Sequence, residues 1–241
     1  MTIVFQSLLF ALAAAAANIL GGIIVTSHKW ARQSLRYFIA VGSGFMLGTV
    51  FLEMTPESFS LTPRAPHLIL LGYLIVHMFE HTFASHLHFG EETHHDEVVN
   101  PVVGISALVG LLVHTFFDGV AIGAGFMIGE SAGLLIFLAV FLHKIPDGFT
   151  VASIFITAGH SKSKALGAAI ALGISTVIGV VAVHLVGDKG TIALPIATGS
   201  MLYVAATDLM PEVNRESGVK MAMLVFAGMG LFLLIQLATQ L

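Results

Sequence analysis

Eight long apolar segments constrain this sequence more than any other feature. Each is close to the roughly 20 residues that a helix needs to cross a bilayer. The chain is 56% hydrophobic and 10% charged, whereas a soluble domain carries about 25% charged residues. The sequence therefore predicts an all-α integral membrane protein with one transmembrane domain over residues 1–241. Its eight spans are expected near residues 3–26, 36–56, 66–86, 101–127, 131–157, 164–186, 190–211 and 219–240.

The basic residues predict how the spans are oriented. No basic residue precedes the first segment, so we expect it to be a span and not a cleaved signal. With eight spans both termini lie on one side, and placing them outside puts most Lys and Arg in cytoplasmic connections. We therefore expect a multi-pass protein of the cell membrane, inner or plasma, with both termini outside. The residues behind this bias are Lys29, Arg32, Arg36, Lys162, Lys164, Arg215 and Lys220.

A short repeat links the second and seventh spans. Residues 44–57 and 199–212 share a Gly, a Met-Leu pair, an acid and a Pro-Glu pair in the same register. Spans an odd number of steps apart run in opposite directions, so the repeat is inverted and relates spans 1–3 to spans 6–8. Many secondary transporters are built this way, with the substrate site near mid-membrane. The predicted arrangement is 3+2+3, with spans 4 and 5 in the middle.

Spans 4 and 5 carry matching polar motifs, His114-x-x-x-Asp118-Gly119 and His143-x-x-Pro146-Asp147-Gly148. An ionisable side chain at mid-bilayer costs about 2.5–3.5 kcal/mol on insertion scales. In each motif the His and the Asp lie one helical turn apart on the same face. The chain has no cysteine, and an imidazole and carboxylate set suits zinc and similar cations better than calcium or magnesium.

Proline within the second motif predicts a break in span 5. Pro146 lacks a backbone N–H and should free the carbonyl of Leu142 beside His143. An irregular backbone at membrane depth is tolerated where it lines a cavity. Alternatively, the His–Asp pairs are interhelical hydrogen bonds that only stabilise the bundle.

Both motifs resemble signatures of the ZIP family of divalent metal transporters, of bacterial type. The resemblance covers nearly the whole chain, including the inverted repeat and a His-rich third connection. It implies that His114, Asp118, His143 and Asp147 bind the transported metal. It also implies a contribution from Met46 in the second span.

The sequence departs from the family's two-metal form at three places, which here look like Thr115, Lys144 and Thr176. The family there has Asn, an acid and a Glu. An ammonium repels a second cation, so we expect Lys144 to pair with Asp118 or Asp147 and the site to hold one metal.

Other polar residues are candidates for the metal path. Glu53 and Asp208 sit at the ends of the repeated spans and are expected at the entrance and exit. Glu80, His77 and His81 of the third span belong either to the path or to helix contacts. The His-rich loop 86–100 either receives metal or is a solvated connection, and its candidates are His86, His88, His94 and His95.

The sequence thus predicts a transporter of divalent metal, zinc first, with cadmium, iron(II) and manganese left open. The metal is bound as substrate, no cofactor and no nucleic-acid partner is expected, and a homodimer stays open. The alternative is a membrane-embedded zinc-dependent hydrolase. That alternative lacks a His-Glu-x-x-His motif in the sequence, so we expect a protein that is not an enzyme.

Overall fold

The computed structural model describes residues 2–27, 32–83, 101–215 and 218–239. All regular elements among these residues are helical, as the composition predicts. Six spans are single α-helices: span 1 (Ile3–Ser27), span 3 (Ala65–Phe83), span 4 (Pro101–Ile128), span 5 (Glu130–Thr157), span 6 (Lys162–Leu185) and span 8 (Val219–Thr239). Span 2 is Arg32–Thr49, Val50–Met54 and Thr55–Leu61, and span 7 is Leu194–Tyr203, Val204–Leu209 and Met210–Asn214 after a 3₁₀ segment Gly187–Ala193.

Seven helices among the described residues are long and apolar enough to cross a membrane. Span 3 is the eighth long helix, with 19 residues. It is less apolar because it carries Glu80 and three histidines, His67, His77 and His81. The chain is therefore an all-α integral membrane protein of about eight helices.

Spans 2 and 7 share an irregularity that the sequence did not predict. Each contains a π-helical turn just before its proline, Val50–Met54 before Pro56 and Val204–Leu209 before Pro211. The N–H of Thr55 bonds to the carbonyl of Val50, and the N–H of Met210 bonds to that of Ala205. The wider turn accommodates the proline ring, so both helices continue several residues beyond the predicted ends.

The predicted break in span 5 is wrong. Glu130–Thr157 is one continuous α-helix with Pro146 inside it. A proline removes one backbone donor, and the packing of spans 1 and 4 on span 5 holds the helix together on either side.

Helix packing follows the repeat. Span 2 packs on span 8 as span 3 packs on span 7, and span 1 packs on span 5 as span 6 packs on span 4. The close approaches also correspond: a Cβ at Gly44 would overlap the backbone of Val225, and one at Gly199 would overlap the backbone of Ile69. Spans 1, 4, 5 and 6 form a central group, and pairs 2–8 and 3–7 contact it at spans 5 and 4.

An ion pair connects the start of span 2 to the end of span 7. Arg36 Nε donates to Glu212 Oε1 at 3.0 Å, and Arg215 Nε lies 3.3 Å from Glu212 Oε2. Lys220 Nζ of span 8 lies 3.9 Å above the ring of Tyr37. These basic residues gather at the same end of three helices, on the side that the charge bias predicts to be cytoplasmic.

Candidate metal site

The two polar motifs meet where spans 4 and 5 face each other. Only Gly129 separates the two helices, which pack along each other. His114, Asp118, His143 and Asp147 are each at most 1% exposed. The structure thus brings together all four predicted residues in a buried place.

Each histidine faces the carboxylate of the opposite helix. His114 Nε2 lies 3.3 Å from Asp147 Oδ2, and His143 Nε2 lies 3.1 Å from Asp118 Oδ2. The crossing is symmetric: Gly119 abuts the backbone of Thr176 as Gly148 abuts the backbone of Asn18. Close backbone contact at these two glycines fixes the position of each motif against its neighbouring helix. The two His–Asp pairs are thereby held opposite each other.

The other ring nitrogen of each histidine meets an acceptor. His143 Nδ1 lies 2.9 Å from the carbonyl oxygen of Ala139, and His114 Nδ1 lies 3.4 Å from Glu80 Oε1. A neutral imidazole carries one N–H, so donation from Nδ1 leaves the lone pair of Nε2 pointing at a carboxylate. A cation between Nε2 and the carboxylate oxygen would stabilise these two facing acceptors. Metal-binding histidines also typically donate their other ring N–H to an acceptor, as Nδ1 does here.

Lys144 lies between the two carboxylates. Its Nζ is 2.5 Å from Asp118 Oδ2 and 3.4 Å from Asp147 Oδ2, and the side chain is fully buried. The sequence predicted a pairing with one aspartate, and the structure places the ammonium at both. A buried ammonium is tolerated only when it is paired in this way.

Geometry and ligand chemistry fit a divalent cation. Ligand atoms of His114, Asp118 and Asp147 lie within 4.8 Å of one another. Asp118 Oδ1 is buried and has no hydrogen-bond partner among the described residues. An unpartnered buried carboxylate oxygen is costly, and a bound metal would satisfy it.

A second cluster adjoins the first through His114. Ligand atoms of Glu80, His114 and Asp208 also lie within 4.8 Å of one another. Glu80 belongs to span 3 and Asp208 to the π-helical turn of span 7. His114 is therefore shared between the buried site and an acidic pair on the neighbouring helices.

The remaining predicted residues are placed as follows. Met46 is fully buried in the core formed with spans 4, 5 and 7. Thr115 and Thr176 donate their hydroxyls to the carbonyls of Leu112 and Leu172 in their own helices. Glu53 accepts a hydrogen bond from Gln236 Nε2 at 2.9 Å. The predictions for His86, His88, His94 and His95 lie outside the described residues.

Two polar residues that contact predicted ones, Asn18 and Gln236, were not predicted from the sequence. Asn18 of span 1 is fully buried beside Gly148, and its amide nitrogen and oxygen have no hydrogen-bond partner among the described residues. Gln236 of span 8 contacts Glu53. Neither belongs to a motif, and the Gln236 contact could only have been found by extending the repeat into spans 3 and 8.

Comparison with known proteins finds several zinc transporters that are similar to this chain. Zinc transporter SLC39A7 of Homo sapiens is 32% identical over 139 residues, which cover 53% of this chain and 30% of that protein. Zinc transporter ZIP9 of Micropogonias undulatus is 30% identical over 160 residues, covering 61% of this chain and 50% of that protein. Zinc transporter foi of Drosophila melanogaster is 30% identical over 163 residues, covering 62% of this chain and 23% of that protein. The matched regions thus span half or less of these relatives' length.

A family model agrees with this similarity. The model described as ZIP zinc transporter matches residues 90–236, which include both polar motifs and spans 4 to 7. The two motifs that carry the resemblance lie within the matched residues. The chain belongs to the ZIP zinc transporter family.

Proposed function

We propose that this chain carries divalent metal ions, zinc foremost, across the membrane toward the cytoplasm, and that it is not an enzyme. The observation that carries the proposal is the pair of crossed, fully buried His–Asp contacts between spans 4 and 5. With its N–H on Nδ1, each histidine turns the lone pair of Nε2 toward a carboxylate, which is an arrangement suited to a cation. The relatives' names, all zinc transporters, support zinc over the cadmium, iron(II) and manganese left open by the ligand chemistry.

We propose that the site binds one metal through His114, Asp118, His143 and Asp147, with Met46 as a weaker ligand. Lys144 stands where a second metal would need a ligand. A monovalent and a divalent cation about 4 Å apart repel by about 8 kcal/mol at an effective dielectric constant of 20. Lys144 and one metal already exceed the charge of the two carboxylates by about one unit, and a second metal would raise that excess to about three. Thr115 and Thr176, which bond to their own helices, add no ligand.

We further propose a path with Glu53 at its entrance and Asp208 at its exit. Asp208 supports the exit role because it lies with Glu80 against His114, so metal leaving the buried site meets an acidic pair. Spans 1, 4, 5 and 6 would shift against the pairs 2–8 and 3–7 to expose the site on alternate sides. The loop histidines His86, His88, His94 and His95 would receive metal beyond Asp208.

The proposed setting is the cell membrane with both termini outside. The cluster of Arg36, Arg215 and Lys220 at one end of spans 2, 7 and 8 supports this orientation, since basic residues concentrate on the cytoplasmic side. A homodimer is also proposed. Span 8 exposes large apolar side chains such as Phe226 and Leu234, which suit lipid or a second copy, and cross-linking in native membranes would distinguish these.

Uptake of radioactive zinc into proteoliposomes tests the function. We expect uptake by the wild type and loss to the background of empty liposomes in Asp147→Ala and His114→Ala. Glu130→Ala is the matched control, because this exposed acid at the start of span 5 belongs to neither cluster. Unchanged uptake in both site variants would refute the site. Nothing in the described residues or the relatives' names favours the hydrolase, and hydrolysis of lipid or peptide without uptake would reverse the choice.

A further inference from the structure

The two histidines of the site are equivalent in position but differ in their second contact. Both present Nε2 to the aspartate of the opposite helix, and Gly119 and Gly148 seat their helices in the same manner. The Nδ1 of His114, however, meets Glu80 of span 3, whereas the Nδ1 of His143 meets the carbonyl of Ala139 in its own helix. A symmetric scaffold therefore holds an asymmetric pair of histidines.

The repeat identifies the residue that corresponds to Glu80. A Cβ at Gly72 of span 3 would overlap the backbone of Ile196, and a Cβ at Gly228 of span 8 would overlap that of Val41. Glu80 follows Gly72 at the spacing at which Gln236 follows Gly228. Gln236 is thus placed relative to span 2 as Glu80 is placed relative to span 7, and span 2 contacts span 5 as span 7 contacts span 4.

The partners of these two residues correspond as well. Asp208 follows Gly199 at the spacing at which Glu53 follows Gly44. The acidic pair Glu80 and Asp208 therefore matches the pair Gln236 and Glu53, whose side chains are hydrogen-bonded at 2.9 Å. Among the described residues, span 3 makes broader contact with span 4 than span 8 makes with span 5. The asymmetry of the histidines thus accompanies an asymmetry of the flanking helices.

We infer that Gln236 is a positioning residue that holds His143 in a second orientation of the transport site. In that orientation His143 Nδ1 leaves the carbonyl of Ala139 and donates to the Gln236 side-chain oxygen. His114 Nδ1 in turn leaves Glu80 and donates to the backbone carbonyl of Gly110. The inference rests on the proposed transport function and names the contacts that exchange when the site changes sides.

Physical reasons support such an exchange. Inverted repeats give a membrane protein two packings of similar energy, related by interchange of the halves. Gln236 uses its N–H for Glu53, and an amide also offers an oxygen as acceptor. A bond to a neutral amide is weaker than one to the Glu80 carboxylate by roughly half. The orientation with His114 on Glu80 is therefore the more populated one.

Distances between spin labels on two matched pairs of sites test the inference. The chain has no cysteine, so each label site is unique once introduced. One pair is Met78 with Ile105, on spans 3 and 4, and the other is its counterpart, Leu234 with Leu134, on spans 8 and 5. Met78, Ile105 and Leu234 are 55%, 55% and 67% exposed, so labels there leave the core intact.

Three variants should change the balance between the two orientations, two of them in one direction and the third in the other. Glu80→Gln weakens the present orientation, and Gln236→Glu strengthens the second, so both should raise the fraction with spans 5 and 8 close by about tenfold. Gln236→Ala should lower that fraction by about fivefold. A structural role for Gln236 would broaden both distance distributions, and Gln236→Glu and Gln236→Ala would then have similar effects.

The outcomes separate the two proposals. Zinc uptake by the wild type with no response of either labelled pair to Gln236→Glu overturns the role of Gln236 and leaves transport standing. Opposite shifts in the labelled pairs without zinc uptake support the role of Gln236 and refute transport. Elution of each variant as a single species of wild-type size establishes that it is folded.

Discussion

The motifs of spans 4 and 5 occupy the same place in their halves of the molecule and differ at one neighbouring position. His114 and His143 each face the other helix's aspartate. Beside them stand Thr115, which bonds to its own helix, and Lys144, which reaches both aspartates. The shared features bring two histidines and two aspartates together, and the difference sets the charge around them. In the proposed site, the permanent cation in one half is what limits binding to one metal.

Removing that cation should have the largest effect. Lys144→Met leaves two buried carboxylates uncompensated, and we expect metal-free protein to lose about 3–5 kcal/mol of unfolding free energy. Zinc should restore most of the loss because it supplies the missing positive charge. Denaturant unfolding in detergent, with and without zinc, measures both.

Lys162→Met is the control for Lys144. Lys162 is exposed and donates to the carbonyl of Thr26, so its loss should cost far less. Equal destabilisation of the two variants, or no recovery of Lys144→Met with zinc, would contradict the pairing.

The two aspartates offer a second comparison. Asp147 contacts His114, His143 and Lys144, and Asp118 contacts His143 and Lys144. We expect Asp147→Ala and Asp118→Ala each to weaken zinc binding about 100-fold or more. Mutating a residue that only hydrogen-bonds to a metal ligand already lowers metal affinity about 10–100-fold, and losing a ligand should cost more. Titration calorimetry measures the affinity. A variant within threefold of the wild type would remove that aspartate from the ligand set.

The matching glycines test whether the halves are equivalent in packing. An alanine at Gly148 would meet the backbone of Asn18, and one at Gly119 that of Thr176. Each should destabilise the fold by about 1–3 kcal/mol. Gly167→Ala is the control, because nothing lies within 4 Å of its added Cβ and alanine favours helix. Thermal unfolding that ranked Gly167→Ala with the other two would argue against tight packing at these sites.

The smallest effect is expected at Met46. A thioether is a weak ligand for zinc and a better one for softer metals, so Met46→Leu should weaken cadmium binding more than zinc binding, by a few-fold. Competition between the two metals, measured by equilibrium dialysis, gives the ratio. An unchanged ratio would assign Met46 to core packing alone.

Much of the fold and part of the candidate site were predictable, because membrane spans and paired motifs have strong local sequence signals. The spans, the inverted repeat and the facing of the two polar motifs could be predicted from the sequence. The π-helical turns could not, since a proline in a sequence does not say whether the backbone breaks, bends or widens. Pro146 shows the same ambiguity, because it lies in a continuous helix where a break was expected.

Contacts between distant spans were the other limit. Glu80 was a candidate for the path or for helix contacts, but only the packing of spans 3 and 4 places it on His114. Lys144 was expected at one aspartate, and the crossing of two helices, which has no sequence signal, places it at both. Asn18 is a buried polar residue without a motif, and a single residue of this kind is not recognisable in an apolar segment.

Anomalous X-ray scattering from zinc-loaded crystals tests the central claim most directly. The charge of Lys144 between Asp118 and Asp147 predicts one zinc peak at the buried site, bound by residues of both spans. Two peaks that share Asp118 and Asp147 would contradict the claim that Lys144 limits the site to a single metal.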